Sequence, residues 1–125
     1  MNRSVLTLDL RDDPAAIAAY RRHHAEAWPE VVRSLKDAGI LEMDIYLLGT
    51  RLVMLVEVQD GLDLKMVFEQ HRSSSPRVAE WERLMQTLQQ PAPGTPAGGW
   101  WAAMERVFHL SRQQPSAAVP VIPRG

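Results

Sequence analysis

A phenol, two imidazoles, two carboxylates and an indole fall within eleven residues, Tyr20-Arg-Arg-His-His24-Ala-Glu-Ala-Trp28-Pro29-Glu30. Tyr20 and His24 are four apart, so on a helix they stack on one face, with Ile17 one turn earlier. Phenol, imidazole and indole then share a stripe with apolar neighbours on the side turned to the core. Buried aromatic polar groups need partners. This face is therefore either a hydrogen-bonded core patch or the wall of a pocket. Spacing alone favours the core patch, because histidine and tyrosine are often partly buried without any chemical task. If the face lines a pocket, its chemistry is proton transfer, since imidazole titrates near neutral pH and can accept and return a proton in one cycle.

The elements that must position these groups are legible from patterning. Residues 4–10 alternate and read as a strand. Asp12-Asp13-Pro14 is a helix start, with Asp13 as N-cap and Pro14 at the first helical position. That helix carries Ile17, Tyr20 and His24 and must break near Trp28, because a residue preceding proline avoids helical dihedrals. A second piece over residues 29–38 turns Val31, Val32 and Leu35 inward and stops at Gly39. Residues 40–48 and 51–58 form a hairpin around Gly49-Thr50. Helices over about 62–70 and 76–89 follow, then a loop rich in proline and glycine over 90–99, then a final strand over 101–110. The order β-α-β-β-α-β predicts an α+β fold, a ferredoxin-like sandwich. Residues 1–111 form the single domain, and 112–125, with three prolines and no period, a C-terminal tail.

The two-residue turn sets the hairpin register. Leu47 pairs with Leu52, Ile45 with Met54 and Met43 with Val56 on an apolar face that belongs under the helices. Met43 therefore looks toward Tyr20, His24 and Trp81. The opposite face pairs Tyr46 with Val53 and Asp44 with Leu55, and is too apolar to be left in water. A partner subunit covering it predicts a homodimer, two sheets face to face in a dimeric α+β barrel, with Tyr46 at the interface. Glu42 and Glu57 oppose each other, which is unfavourable unless a cation from the partner intervenes.

Composition narrows the function classes. The chain has 125 residues and a net charge of -1, with no basic stripe for nucleic acid. There is no cysteine, hence no disulfide framework and no thiol chemistry. The N-terminus lacks a signal-peptide pattern, and no apolar run reaches membrane-spanning length. These features predict a cytoplasmic protein with no membrane and no nucleic-acid partner. A metal site is not expected: His23 and His24 point about 100° apart on a helix, and His71 and His109 read as surface or strand-end residues. Glycine-rich phosphate loops and nucleophile elbows are absent from the sequence.

The spacing Tyr20-x-x-x-His24 followed by Trp28-Pro29-Glu30 resembles the signature of the L-rhamnose mutarotase family, whose relatives include L-fucose mutarotases. The likeness runs from about residue 5 to residue 110. It takes in Ile45-Tyr46-Leu47, Val56-Glu57, Trp81 and Met104-Glu-Arg-Val-Phe108. The resemblance implies that His24 is the acid/base and that Tyr20 contacts the sugar, as do two adjacent tryptophans. Only the first of that pair is present, as Trp81; Glu82 stands in the second place. A second sugar-binding tyrosine of the family is matched by Met43. These departures bear on which sugar is taken, and the substrate contacts implied are Tyr20, Met43, Trp81 and Glu82.

Mutarotation opens a reducing sugar by moving one proton onto the ring oxygen and removing one from the anomeric hydroxyl. It needs no cofactor and no metal, and one or two placed acid/base groups, each worth ~10²–10⁴-fold, suffice. Trp81 would cover the apolar face of a 6-deoxy sugar, although plain core packing is its ordinary role. Glu82, at the edge of the Val78/Trp81/Met85/Leu88 stripe, would bind hydroxyls or orient His24, or else is an exposed helix glutamate. Trp28 anchors the break between helices, and Trp100-Trp101 plug the following loop or roof the pocket. The reading reached is a mutarotase for a 6-deoxy-L-hexose, with L-fucose favoured over L-rhamnose. Competing readings are a small dimeric ferredoxin-like oxygenase, which fold analogy alone suggests, and a non-catalytic ligand-sensing or dimerisation module.

Overall fold

A computed structural model describes residues 2–112. The element order is β1 (Asn2–Leu10), α1 (Pro14–Ala25), α2 (Pro29–Asp37), β2 (Ile40–Leu48), β3 (Arg51–Val58), α3 (Leu64–Arg72), α4 (Pro76–Leu88), β4 (Gln89–Gln90) and β5 (Ala102–Ala103), ending in a 3-10 turn at Leu110–Arg112. The antiparallel sheet runs β2-β3-β1-β4, with β5 also on the outer edge of β1. This is the ferredoxin-like α+β fold. The helices begin where local chemistry dictates. The Asp13 side chain accepts from Ala15 N at 3.0 Å, Asp63 accepts from Lys65 N at 3.1 Å, and Ser75 accepts from Val78 N at 3.2 Å. Proline occupies the first turn of α1, α2 and α4.

Trp28, extended before Pro29 with φ -59 and ψ 132, separates α1 from α2. The turn this forces brings Trp28 and Tyr20 to the same side, against α4. The hairpin register is the one expected, from Leu47↔Leu52 through Ile45↔Met54 to Met43↔Val56 and Glu42↔Glu57, with an irregularity between Ile40 and Glu42. On the covered face Leu8, Leu10 and Leu52 are fully buried beneath Tyr20, Val31, Val78, Trp81 and Met85. Leu6, Met54, Val56 and Val58 meet Ala38 and Val67 at the other end. The opposite face carries Tyr46, 57% exposed, and Leu48, 84% exposed.

Two expectations are corrected. The final strand over 101–110 is reduced to Ala102–Ala103, facing Thr7 and Leu6, while Gln89–Gln90 takes the edge of β1 at Leu10 and Asp9. After Met104 N donates to Val5 O at 2.8 Å the chain leaves the edge, and Val107, Phe108 and Leu110 are exposed. Residues 104–110 do not keep a strict period of two, since Glu105-Arg106 and Val107-Phe108 set like residues in succession, so neither face of the run is consistently apolar. The cation facing the Glu42/Glu57 pair comes from the same chain: Arg3 on β1 lies opposite Glu57, with Arg3 Nη2 2.7 Å from Glu57 Oε1. Of the tail expected over 112–125, residues 113–125 lie outside the described residues.

Gly39 ends α2 with φ +108, a backbone region that L side chains rarely adopt, and a Cβ there would run into Leu62 Cδ1. Gly39→Ala should therefore lower stability by about 1–3 kcal/mol. A urea midpoint equal to that of the parent protein would contradict this reading.

Candidate functional site

The break at Trp28 lets α1 lean over the sheet so that its Tyr20/His24 stripe meets α4. The contact is a chain of rings. Tyr20 and His24 stack with centroids 4.1 Å apart and planes 27° apart. His24 meets Trp81 edge-on at 5.4 Å, and Trp81 meets Trp28 at 5.1 Å. Arg77 lies 3.5 Å over the Trp28 ring and holds the far end. Offset and edge-on pairs of this kind each contribute ~0.5–1.5 kcal/mol beyond their burial.

Below this chain opens a cleft of about 620 Å³ between the helices and the sheet, within the ~300–1,000 Å³ usual for small-molecule sites. Tyr20, His24, Met43, Trp81 and Glu82, the residues singled out from the sequence, all line it. Its floor is apolar, built by Leu6, Met43, Ile45 and Met54 of the sheet, and its far wall includes Leu64 and Phe68 of α3. Trp100 and Trp101 line it as well, brought back by the loop after β4. Trp100 is fixed there by its Nε1–H, which donates to Gln89 Oε1 at 2.9 Å. Both tryptophans thus border the cleft itself.

The electrostatics assign distinct states to the two polar rings. His24 Nδ1 is 2.9 Å from the carbonyl oxygen of Tyr20. A carbonyl can only accept, so Nδ1 carries the proton and Nε2 is left with the lone pair. The His24 residue is exposed overall, yet one face of its ring is packed on Tyr20. Loss of water on that side lowers its pKa from the ordinary value of 6.5; the bond to Tyr20 opposes the shift and neighbouring His23 reinforces it. The Tyr20 hydroxyl is buried without a hydrogen-bond partner. Burial pushes its pKa above the ordinary phenol value, Gln89 nearby opposing and the negative Glu82 adding to the rise. A neutral phenol with unsatisfied hydrogen-bonding capacity borders the cleft, a group that a polyhydroxylated ligand would satisfy.

Sequence reasoning missed His71. Expected at the surface, it is 2% exposed, because α3 turns this position under α2 and against α4. Its Nδ1 is 2.8 Å from Ser34 Oγ, and its Nε2 is 3.5 Å from Glu82 Oε1. Glu82 is accordingly tied to His71, not to His24, and its exposure is only partial. The available signal was the placement of His71 four residues after the inward Val67 on α3. His109 is exposed, as expected. Trp28 packs on Trp81 as an anchor of the helix break. Among the described residues no group of three or more His, Cys, Asp or Glu side chains is placed to hold a metal ion.

Comparison with known proteins places this geometry. The model of the L-rhamnose mutarotase family matches residues 3–110. An L-fucose mutarotase of Xanthomonas campestris pv. campestris is 44% identical over 124 residues, covering 94% of this chain and 98% of that protein. A protein of Dictyostelium discoideum is 37% identical over 106 residues, covering 82% and 85% of the two chains. The crystal structure of an L-rhamnose mutarotase from Formosa agariphila superposes with a TM-score of 0.62 at 22% identity, covering 87% and 98%. An antibiotic biosynthesis monooxygenase superposes with a TM-score of 0.53 at 16% identity over 86% of this chain and all of that one, a likeness of fold alone.

The state of His24 has a measurable consequence. Because the fold holds its pKa below 6.5, the folded protein binds fewer protons than the unfolded chain in the window just beneath that value. Its contribution to stability is then full above pH about 6.5 and is lost as pH falls toward the lower folded value. An NMR titration of the His24 ring should show its midpoint below about 6.5. A midpoint at or above that value contradicts the assignment.

Proposed function

The chain belongs to the L-rhamnose mutarotase family, isomerases acting on sugars, and from that premise we propose that it exchanges the anomers of a 6-deoxy-L-hexose with L-fucose favoured over L-rhamnose. The observation that carries the reading is the convergence of Tyr20, His24 and Trp81 on one cleft, with the Tyr20 hydroxyl buried and unpartnered.

His24 is the principal acid/base in this proposal. Its Nε2 lone pair takes the proton of the anomeric hydroxyl while the ring oxygen is protonated, the C1–O5 bond opens, and an aldehyde forms. Rotation about C1–C2 and the reverse transfers give the other anomer, and no atom is gained or lost. Tyr20 binds a sugar hydroxyl, Trp81 lies against the apolar C–H face, and Met43 with the aliphatic floor receives the 6-methyl group. The L-fucose preference is supported by the L-fucose mutarotase that is 44% identical to this chain. It is further supported by Met43 and Glu82, a hydroxyl donor and a stacking plane fewer than the family pattern and a carboxylate more. The two sugars differ in the configuration of ring hydroxyls, and a site that leaves a polar group unpaired with the wrong epimer discriminates strongly.

The proposal places the enzyme in the cytoplasm as a homodimer joined through the exposed sheet face. Support comes from Tyr46 and Leu48 on that face, with Val53 and Leu55 half-buried beside Tyr46.

Saturation-transfer NMR with the two sugars at equal concentration tests the first part. L-fucose should exchange faster than L-rhamnose, and His24→Ala should remove ~10²-fold or more of the exchange while the fold persists. Faster L-rhamnose exchange refutes the preference, and an unchanged rate in the variant refutes the role of His24. For the assembly, sedimentation should give a dimer that Val53→Asp dissociates or unfolds, since a buried unpaired carboxylate is costly. A monomeric parent protein would overturn it.

A further inference from the structure

The hydroxyl chain behind the cleft determines where the protons on His71 must be. Ser74 Oγ donates its single proton to the His71 carbonyl oxygen at 2.7 Å, an atom that can only accept. Ser34 Oγ lies 2.8 Å from Ser74 Oγ, so Ser34 must be the donor in that pair. With its own proton used, Ser34 can only accept from His71, whose Nδ1 is 2.8 Å away. Nδ1 is therefore protonated. Nε2, on the other side of the same buried ring, is 3.5 Å from Glu82 Oε1. Without a further proton, a lone pair on a buried ring would face a carboxylate that is itself only 30% exposed, which is unfavourable.

We propose that His71 and Glu82 hold a proton between Nε2 and the carboxylate, and that Glu82 is a second catalytic residue, the acid that protonates the ring oxygen while His24 accepts the anomeric proton. The inference rests on the mutarotase reading of the same cleft, which His24, Glu82 and His71 all line. The step balances. The anomeric O–H proton goes to His24 Nε2, the dyad proton goes to the ring oxygen, C1–O5 breaks and C1=O1 forms. On closure the ring-oxygen proton returns to Glu82 and His24 returns its proton to O1. A single imidazole would have to carry one proton between two oxygens. Two groups held by different helices can act on both at once, and His24, whose lone pair is free, is suited to be the base of the pair.

His71 is a positioning residue here, acting through Glu82. Its partners are arranged so that the proton free to move sits on the cleft side. Ser34 and Ser74 tie Nδ1 to α2 and to the α3 C-terminus, leaving Nε2 as the exchanging site. Glu82, the next residue after Trp81 on α4, occupies the place where the family pattern has a second tryptophan. A stacking surface has been replaced by a group that can give and take a proton.

Two measurements test this. In the parent protein, ¹⁵N NMR of the His71 ring with ¹³C NMR of the Glu82 carboxyl should show one proton held by the pair; a bare Nε2 facing an ionised Glu82 overturns the proposal whatever the activity. Glu82→Gln keeps the shape and the capacity to bind hydroxyls but cannot transfer a proton. It should lower kcat for L-fucose exchange by ~10²-fold with KM changed by no more than about threefold. A raised KM with kcat unchanged would show that Glu82 only binds, and overturns the proposal. If the parent protein exchanges neither L-fucose nor L-rhamnose, the mutarotase reading itself falls, and this role falls with it. An active parent protein with an equally active Glu82→Gln variant defeats this inference alone.

Discussion

The edge-on contact of His24 with Trp81 is the constraint on which the site depends. It joins α1 to α4 across the top of the sheet and fixes the spacing between the imidazole and the indole that border the cleft. Every neighbouring feature serves that contact. Trp28, held in extended backbone by Pro29, packs on the other side of Trp81, and Arg77 lies over Trp28. The Tyr20 carbonyl takes the Nδ1 proton and so decides which nitrogen of His24 stays free. A helix that ran straight through Trp28 would carry α2 away from α4 and leave Trp81 with one fewer ring against it.

The cleft beneath is divided by polarity. Its floor is methionine, leucine and isoleucine from the sheet, a dry apolar surface. Its polar groups come from the helices, each held by a partner behind it: His24 by a backbone carbonyl, Glu82 by His71, and His71 by Ser34. Side chains set on helices and backed by polar partners keep their geometry better than groups on loops. The loop after β4 contributes surface more than chemistry, through Trp100 and Trp101, with Trp100 moored to the buried Gln89.

The two faces of the sheet show how one strand pair serves two purposes. Alternation sends Leu52, Met54 and Val56 under the helices and Val53 and Leu55 to the outside. The outer face is steadied by charge as well as by apolar contact. Arg3 meets Glu57, and Arg51 meets Asp9 at 2.6 Å. Exposed ion pairs contribute little to stability, but Arg3 offsets the repulsion of Glu42 and Glu57, and Arg51 pairs the buried Asp9 carboxylate. Tyr46 and Leu48 rise between these pairs as the apolar part of the face.

What the sequence determined by itself was everything governed by local chemistry. Asp13, Asp63 and Ser75 cap helices through their own side chains, Pro29 forces the break at Trp28, and the period of two sets the hairpin register. Helical spacing likewise put Tyr20, His24 and Trp81 on faces that meet, and all three line the cleft. Tertiary structure decided what depends on which elements meet. The run after Trp101 pairs only at Ala102–Ala103, while Gln89–Gln90 takes the other end of the same β1 edge. Arg3 reaches Glu57 only because β1 lies beside β3, fifty-four residues apart in the chain. His71, Ser34 and Glu82 come from three helices and show no common spacing. Their meeting depends on the packing of α2, α3 and α4, and burial then makes a histidine that looks ordinary in the sequence into one whose every hydrogen bond must be satisfied.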